Sequence, residues 1–158
     1  LAVMAALAII APGDVVIAAT DGYKTTAVIG DLVLGMARNA GAVGFLTDGC
    51  VRDLPGIRGV GLPCLAAGVT PNSPARYGPG TIGLPVVVGG VTVETGDIVI
   101  ADSDGAVVVP FQQIDRVIDR ITQIQTAEAA FEARVKAGLR VPDFVMDMIK
   151  NGKVREVE

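Results

Sequence analysis

The chain has 158 residues, of which 51% are apolar, 19% are charged and none is histidine, and its net charge is −4. This length is typical of one domain. Because histidine is missing, Ser-His-Asp catalysis, Cys-His catalysis and His-ligated zinc are excluded. The chain has two cysteines, which are too few for a disulfide framework and indicate a reduced, cytoplasmic protein. The acidic balance argues against nucleic acid as a ligand, and because no apolar run reaches the ~18 residues of a membrane span, we expect no membrane partner.

The first third of the chain predicts a parallel βαβ unit. Residues 1–10 are apolar and end at a Pro-Gly pair, which indicates a buried helix and a turn; the alternative is a signal-type segment that lacks its basic start. We then expect a buried strand at 14–19, a helix at 32–40 and a strand at 43–47. Because the chain starts at Leu1, in mid-pattern and without methionine, we expect a missing N-terminal segment; the alternative is that the fold starts there.

The rest of the chain predicts short strands followed by helices. Glycine and proline interrupt residues 56–90, where we expect a strand at 64–69 and a polar loop at 70–80. Hairpins are predicted around Gly89-Gly90 and around residues 102–105. Pro110 begins a long helix to about Ala137, and a short helix at 142–150 follows. The predicted fold class is therefore one α/β or α+β domain with a helical tail.

Residues 48–53 (Asp-Gly-Cys-Val-Arg-Asp) form the first candidate site. They follow a predicted parallel strand, and loops at that end of a sheet bind ligands. Arg52 offers a bidentate fork to a carboxylate or carbonyl oxygen, and Asp53 offers hard oxygens to Mg²⁺ or Mn²⁺. The alternative is a solvated Asp-Gly turn with a local ion pair.

A second candidate is the turn Gly30-Asp31-Leu32 at the start of a predicted helix. Free amides and the positive end of a helix dipole suit a small carboxylate or phosphate. Gly30 allows close approach of the backbone to such a ligand. The alternative is a simple helix N-cap.

The long helix carries an apolar stripe with an acid inside it. At about 100° per residue, Glu128 falls between Ile124 and Phe131. Such a carboxylate is either solvated where the helix leaves the core, or buried and in need of a partner or metal. By contrast, Cys50 and Cys64 lack a nearby base and are interpreted as small core or loop residues.

These motifs occur in an order that resembles the RraA-like family. The family includes 4-hydroxy-4-methyl-2-oxoglutarate aldolases, class II pyruvate aldolases and regulators of ribonuclease E activity, and the resemblance extends from Leu1 to about Ala137. Some members are labelled as methyltransferases, but the glycine-rich loop and downstream acid of a methyl-donor site are missing from this sequence. The matching segments are Pro12-Gly13-Asp14-Val15-Val16, Gly30-Asp31-Leu32, Gly44, Asp48-Gly49-Cys50-Val51-Arg52-Asp53, residues 85–93, Gly96-Asp97-Ile98-Val99 and residues 102–110.

The resemblance implies a fold and a set of site residues. The fold resembles the swivelling β/β/α domain of phosphohistidine enzymes with a C-terminal helical tail, assembled as a homotrimer or hexamer with sites at subunit interfaces. Asp53 matches the metal ligand, and Arg52 matches the residue that binds the keto oxygen and steadies the enolate. Asp31 matches an acid near the metal-bound water, and Glu128 is the candidate for an acidic metal ligand from a neighbouring subunit. The amides that hold the substrate carboxylate belong to Gly30, Asp31, Leu32 and Val33.

The expected function is that of a metal-dependent aldolase. It cleaves 4-hydroxy-2-oxo acids of the 4-hydroxy-4-methyl-2-oxoglutarate type to pyruvate, with oxaloacetate decarboxylation as a side activity. Mg²⁺ or Mn²⁺ together with Arg52 stabilises the enolate, and the base is either a metal-bound water or a carboxylate such as Asp31. The alternative is a non-catalytic protein that binds and regulates a ribonuclease. Arg58 and Arg76 either meet a second substrate carboxylate or are surface charges.

Overall fold

The computed structural model describes residues 2–75 and 77–154. The chain divides into two compact units, Leu1–Gln112 and Gln113–Glu158, while the sequence predicts a single domain. Arg76, one of the arginines considered for a second substrate carboxylate, lies outside the described residues.

The first unit contains a four-stranded parallel sheet centred on one long strand. That strand is β3 (Gly44–Val51). Along one edge it pairs with β4 (Cys64–Val69), and along the other it pairs with β1 (Val15–Ala18) and then with β2 (Ala27–Ile29). It is largely buried, as expected for a central strand of a parallel sheet covered on both faces.

Three helices accompany this sheet: α1 (Ala2–Ala6), α2 (Asp31–Asn39) and α3 (Leu54–Val60). Helix α2 buries Leu34 and Ala37, three residues apart and therefore on one face of the helix. These side chains join Phe45 of β3 and Ile57 of α3 in the apolar core. The core thus fixes the starts of α2 and α3 relative to the end of β3.

Several expectations for this region are wrong. The strand predicted at 43–47 continues to Val51, because its last residues pair with β2 and β4; only Arg52 and Asp53 of the proposed loop follow it. Strand β2 was not expected, and α2 follows β2 rather than the first strand. Helix α3 was also missed, since its glycines have low helix propensity. The predicted buried first helix is shorter and has no fully buried residue.

The two predicted hairpins are confirmed. Strands β5 (Val86–Val88) and β6 (Val91–Val93) are antiparallel, and the glycines that join them have φ of 58° and 83°. Two positive φ angles are what a tight two-residue hairpin turn requires. The second hairpin pairs β7 (Ile98–Ala101) with β8 (Ala106–Val109).

The second unit consists of helices α4 (Ile114–Lys136) and α5 (Asp143–Lys150), which confirms the predicted long and short helices. The predicted start at Pro110 is wrong, because a 3₁₀ turn at Phe111–Gln113 precedes α4. Neither contains a buried residue. The apolar stripe of α4 is exposed over much of its length, from Ile118 through Ile124 to Phe131. None of the helices in the described ranges, residues 2–75 and 77–154, has the length and apolarity needed to cross a membrane.

Candidate active site

Three chain segments leave the parallel sheet at the same edge. Ile29 ends β2 and Val69 ends β4, and both pair with Val51 at the end of β3. The segments that follow these strands, residues 30–33, 52–53 and 70–73, therefore begin side by side; we call them the carboxyl edge. In open α/β sheets, ligands bind at this end of the strands.

Arg52 is held at the carboxyl edge by its backbone and its side chain. Its N–H donates to the carbonyl of Ile29 at 3.1 Å. Its Nε lies 3.3 Å from Oδ2 of Asp53, and its Nη1 donates to the Ser73 hydroxyl. The side chain is 35% exposed, so part of the guanidinium still faces solvent. The sequence did not predict Ser73; the one available signal is its place after the strand predicted at 64–69.

Asp53 has a left-handed backbone, with φ of 60° and ψ of 44°. Aspartate is among the residues that tolerate this conformation. The bend lets consecutive side chains converge, which explains how Arg52 and Asp53 meet. Although Asp53 precedes α3, its carboxylate makes no capping hydrogen bond and is half exposed. The carboxylate is therefore available to a ligand.

Gly30 makes room for this pair. A Cβ at this position would lie 2.5 Å from Oδ2 of Asp53 and 3.2 Å from Nε of Arg52, closer than side chains normally approach. Its backbone is extended, with φ of −124° and ψ of −168°, a conformation open to any residue. The need for glycine here is steric, because two charged side chains occupy the space above it.

Asp31 is packed in a similar way against Gly56 of α3. A Cβ on Gly56 would lie 2.6 Å from Cβ of Asp31, so α3 approaches the Asp31 side chain closely. Oδ1 of Asp31 accepts a hydrogen bond from the Leu32 N–H at 2.8 Å. Gly56 thus lets α3 approach the Asp31 side chain, just as Gly30 leaves room for Arg52 and Asp53.

The amides predicted to hold a substrate carboxylate are the first N–H groups of α2. The Leu32 N–H is engaged by Asp31, whereas the Val33 N–H donates to no acceptor among residues 2–75 and 77–154. Gly30 is the N-cap residue, and its carbonyl accepts the Leu34 N–H at 3.1 Å. Of the predicted binding amides, those of Gly30, Asp31 and Val33 donate to no acceptor among the described residues and are free to meet an anion.

Asp48 has a structural position within β3. Its carboxylate accepts hydrogen bonds from the Thr20 N–H at 2.7 Å, the Thr20 hydroxyl at 2.9 Å and the Gly22 N–H at 2.9 Å. Partial burial acts to raise the pKa of Asp48, but these hydrogen bonds outweigh it and hold the pKa below its ordinary value. Asp48 therefore anchors the loop between β1 and β2.

The donor groups at the carboxyl edge fit a divalent cation that keeps most of its water. Within the described ranges, no three His, Cys, Asp or Glu residues form a metal-binding cluster. Asp53 Oδ2 faces Arg52, and Oδ1 accepts no hydrogen bond from a described residue. One hard carboxylate oxygen with open surroundings suits Mg²⁺ or Mn²⁺, which bind through one or two carboxylates and retain waters.

Glu128 lies on α4 in the second unit. With Phe131, Glu132 and Val135 it borders a shallow, mainly apolar groove along one face of the helix. Both carboxylates are exposed. The assignment of Glu128 as a metal ligand from a neighbouring subunit stays a prediction.

The other residues considered from the sequence are the two cysteines and Arg58. Cys50 and Cys64 are free thiols; Cys50 is buried in β3, and burial raises the pKa of the Cys64 thiol, as expected of core residues rather than nucleophiles. Arg58 is exposed near the end of α3.

A cavity of about 650 Å³ between the parallel sheet and the hairpins is mainly apolar, and neither Arg52 nor Asp53 lines it.

A family model described as RraA-like, Aldolase/RraA, matches residues 1–108. The chain belongs to the RraA-like family. It is 35% identical over 135 residues to a Halalkalibacterium halodurans protein named "Putative 4-hydroxy-4-methyl-2-oxoglutarate aldolase", covering 85% of this chain and 64% of that relative. This RraA-like chain therefore spans less than two thirds of the relative's length.

Solved structures of RraA proteins have the same fold. Streptomyces coelicolor RraAS2, described as an unusual member of the RNase ES inhibitor RraA protein family, superposes with a TM-score of 0.79 at 33% identity, over 84% of this chain and 68% of its own. The RNA-processing inhibitor RraA from Thermus thermophilis gives a TM-score of 0.60 at 33% identity, over 63% and 60% of the two chains. The predicted fold class, a mixed α/β fold with a C-terminal helical tail, is confirmed.

Proposed function

We propose that this RraA-like protein is a divalent-metal-dependent aldolase that cleaves 4-hydroxy-2-oxo acids to pyruvate. The observation that carries the proposal is the Arg52–Asp53 pair, which Gly30 accommodates beside Asp31 at the carboxyl edge. The carboxylate of Asp53 is half exposed and caps no helix, so it has room for a ligand. The similarity to a relative named as an aldolase of this type supports the proposed substrate class.

Arg52 is proposed to bind the keto oxygen of the substrate. Its guanidinium is partly exposed, and Nη2 donates to no acceptor among the described residues. A hydrogen bond to the keto oxygen strengthens as this oxygen becomes an enolate oxygen, which lowers the barrier rather than only improving binding. Mg²⁺ or Mn²⁺, held by Asp53, would supply further positive charge for the same enolate.

Asp31 is proposed as the base. It accepts the proton of the C4 hydroxyl; the bond between C3 and C4 breaks, and its electron pair passes to the C2 carbonyl, giving a new carbonyl compound and the pyruvate enolate. Protonation of C3 then yields pyruvate. Oxaloacetate gives the same enolate with loss of CO₂, so decarboxylation is expected as a side activity. The Val33 amide is proposed to contact the carboxylate beside the keto group.

A homotrimer or hexamer is proposed as the active assembly, in the cytoplasm. Helix α4 has 23 residues and no buried side chain, and its apolar stripe extends over about 30 Å at 1.5 Å per residue. A second copy of the chain that covers this stripe would bury its apolar side chains. Glu128, which lies within the stripe, would then stand at a subunit interface and complete the coordination of the metal.

A coupled pyruvate-release assay tests the function. The purified protein is mixed with 4-hydroxy-4-methyl-2-oxoglutarate, related 4-hydroxy-2-oxo acids and oxaloacetate, with Mg²⁺, with Mn²⁺ or with EDTA. We expect pyruvate from at least one 4-hydroxy-2-oxo acid with either cation and none with EDTA. No pyruvate from any substrate with either cation contradicts the proposal.

The second candidate function is the binding and regulation of a ribonuclease without catalysis. It is favoured by the structural similarity to RraAS2, described as a member of an RNase inhibitor family. A pull-down with the ribonuclease separates the two candidates. Stoichiometric binding combined with no metal-dependent turnover would reverse their order.

A further inference from the structure

Ser73 lies in a loop that is fixed to the parallel sheet. The Thr70 N–H donates to the carbonyl of Val51 at 3.0 Å, and the Asn72 carbonyl accepts the Ala27 N–H at 2.9 Å. The Asn72 side-chain amide also donates to the carbonyl of Thr25 at 3.0 Å. These contacts immediately precede Ser73, so its position is set by the sheet although the residue itself is exposed.

The Ser73 hydroxyl accepts a hydrogen bond from Nη1 of Arg52. On the other side of the guanidinium, Nε faces the carboxylate of Asp53 at 3.3 Å. Nε is buried and has no hydrogen-bond partner among the described residues, so the contact with Asp53 is an ion pair of imperfect geometry. The planar guanidinium is therefore restrained at two of its three nitrogens, and Nη2 donates to no acceptor among the described residues.

A hydroxyl is well suited to this position because it is neutral. Arg52 already faces the carboxylate of Asp53, and a second carboxylate would further offset the positive charge that a developing enolate oxygen requires. A serine hydroxyl accepts the hydrogen bond and leaves the charge of the guanidinium in place. Without it, the long arginine side chain regains freedom that the ion pair alone does not remove.

We infer that Ser73 is a positioning residue, which orients Arg52 so that Nη2 faces the keto oxygen of the substrate. This inference rests on the proposed aldolase function for its catalytic consequence. Its structural part, the restraint of the Arg52 side chain, is independent of any reaction. Ser73 itself does not touch the reacting atoms.

The structural part is tested in the free protein by ¹⁵N relaxation of the Arg52 Nε–H group. The variants are Ser73→Ala, Ser73→Thr and, as a matched control, Ser103→Ala in the exposed turn between β7 and β8. We expect a lower Arg52 order parameter in Ser73→Ala, and values near the wild type in the threonine variant and the control. An unchanged order parameter in Ser73→Ala overturns the inference.

The catalytic part is tested with steady-state kinetics of the metal-loaded protein. Misorientation of a group that acts in the transition state lowers kcat and kcat/KM together, and we expect about a tenfold loss in Ser73→Ala with KM changed less than about twofold. Ser73→Thr restores kcat, and Ser103→Ala leaves it unchanged. Equal melting temperatures exclude a loss of folding as the cause.

These experiments distinguish a failure of the aldolase proposal from a failure of the proposed role of Ser73. A wild-type protein that releases no pyruvate overturns the aldolase proposal, while the relaxation result still decides whether Ser73 restrains Arg52. An active wild type with unchanged kcat in Ser73→Ala overturns the positioning role alone. A rise in KM at constant kcat would also overturn it, because this pattern indicates lost ground-state binding.

Discussion

The carboxyl edge and the stripe of α4 both carry acidic side chains, but the two regions differ in how far the surroundings of these side chains are defined. At the carboxyl edge, Asp53 and Asp31 are packed against glycines and neighbouring side chains of the same chain. On α4, Glu128 stands exposed beside Phe131, with no packing from a described residue that fixes it. One region is preorganised by its own fold, whereas the other gains a defined environment only when something covers it.

The largest expected effect comes from removing the carboxylate at the carboxyl edge. Asp53→Ala takes away the proposed metal ligand, and we expect kcat/KM for pyruvate release to fall at least about a thousandfold. Asp53→Asn is the matched variant, since asparagine tolerates the left-handed backbone but is neutral. Both variants are measured with the pyruvate-release assay over a range of Mn²⁺ concentrations. Retained activity in both would show that Asp53 is dispensable.

Adding a methyl group beside Arg52 and Asp53, which changes no charge, is expected to lower activity less. In Gly30→Ala the new Cβ would lie 2.5 Å from Oδ2 of Asp53, so the Arg52–Asp53 pair must move. We expect kcat to fall about 10- to 100-fold, as small displacements of catalytic groups do. The control is Gly59→Ala, where a Cβ meets nothing within 4 Å. Equal kcat in the two variants would contradict the steric role of Gly30.

The α4 stripe allows a test of the proposed contribution of Glu128 to metal binding. If Glu128 of a neighbouring subunit completes the metal site, we expect Glu128→Gln to weaken Mn²⁺ binding at least about 10- to 100-fold, because even groups that only support the ligands contribute that much. Glu132→Gln, one helical turn along on α4 and paired in this structure with Lys136 at 2.5 Å, is the control. Calorimetric titration with Mn²⁺ measures both. Identical affinities would remove Glu128 from the site.

The smallest effect is expected for stability and its dependence on pH. The pKa of Asp48 lies below its ordinary value of 3.8, so its hydrogen bonds stabilise the fold above that value, and the contribution is lost as the pH falls through the folded-state pKa. Asp48→Ala should lower the free energy of unfolding by about 1 kcal/mol near neutral pH, allowing for partial exposure. Urea unfolding at neutral and strongly acidic pH measures the difference.

The control for this measurement is Asp119→Ala on the exposed part of α4. We expect little change in the free energy of unfolding at either pH, since solvated carboxylates contribute little. A loss for Asp48→Ala that persists in strong acid would show that the anchoring does not depend on ionised Asp48.

The sequence predicted much of the carboxyl edge because its main residues are adjacent in the chain. Arg52 follows Val51 directly and precedes Asp53, so a single motif pointed to both. Ser73 could not be found in this way, because β4 and its hydrogen bonds to β3 bring it there from 21 positions away. Gly56 was missed for a related reason, since its contact with Asp31 exists only when α3 has formed.

For the fold, elements with local sequence signals were predicted, whereas elements that depend on pairing with distant residues were not. The hairpins follow from their glycine turns, and the long helix follows from the apolar stripe after Pro110, because these signals are local. Strand β2 has only three residues and exists through its pairing with the end of β3, which no local pattern reports. A partner that would cover the stripe of α4 is likewise not identified by the apolar pattern of the stripe itself.

The left-handed backbone of Asp53 has a consequence for substitution at this position. The side chain must offer a carboxylate, and the main chain must accept a positive φ without large strain. Asparagine and glycine meet the second demand and fail the first, while glutamate retains the charge but is one methylene longer and less suited to this conformation. Two independent requirements thus coincide on one residue, and among the twenty amino acids aspartate meets both best.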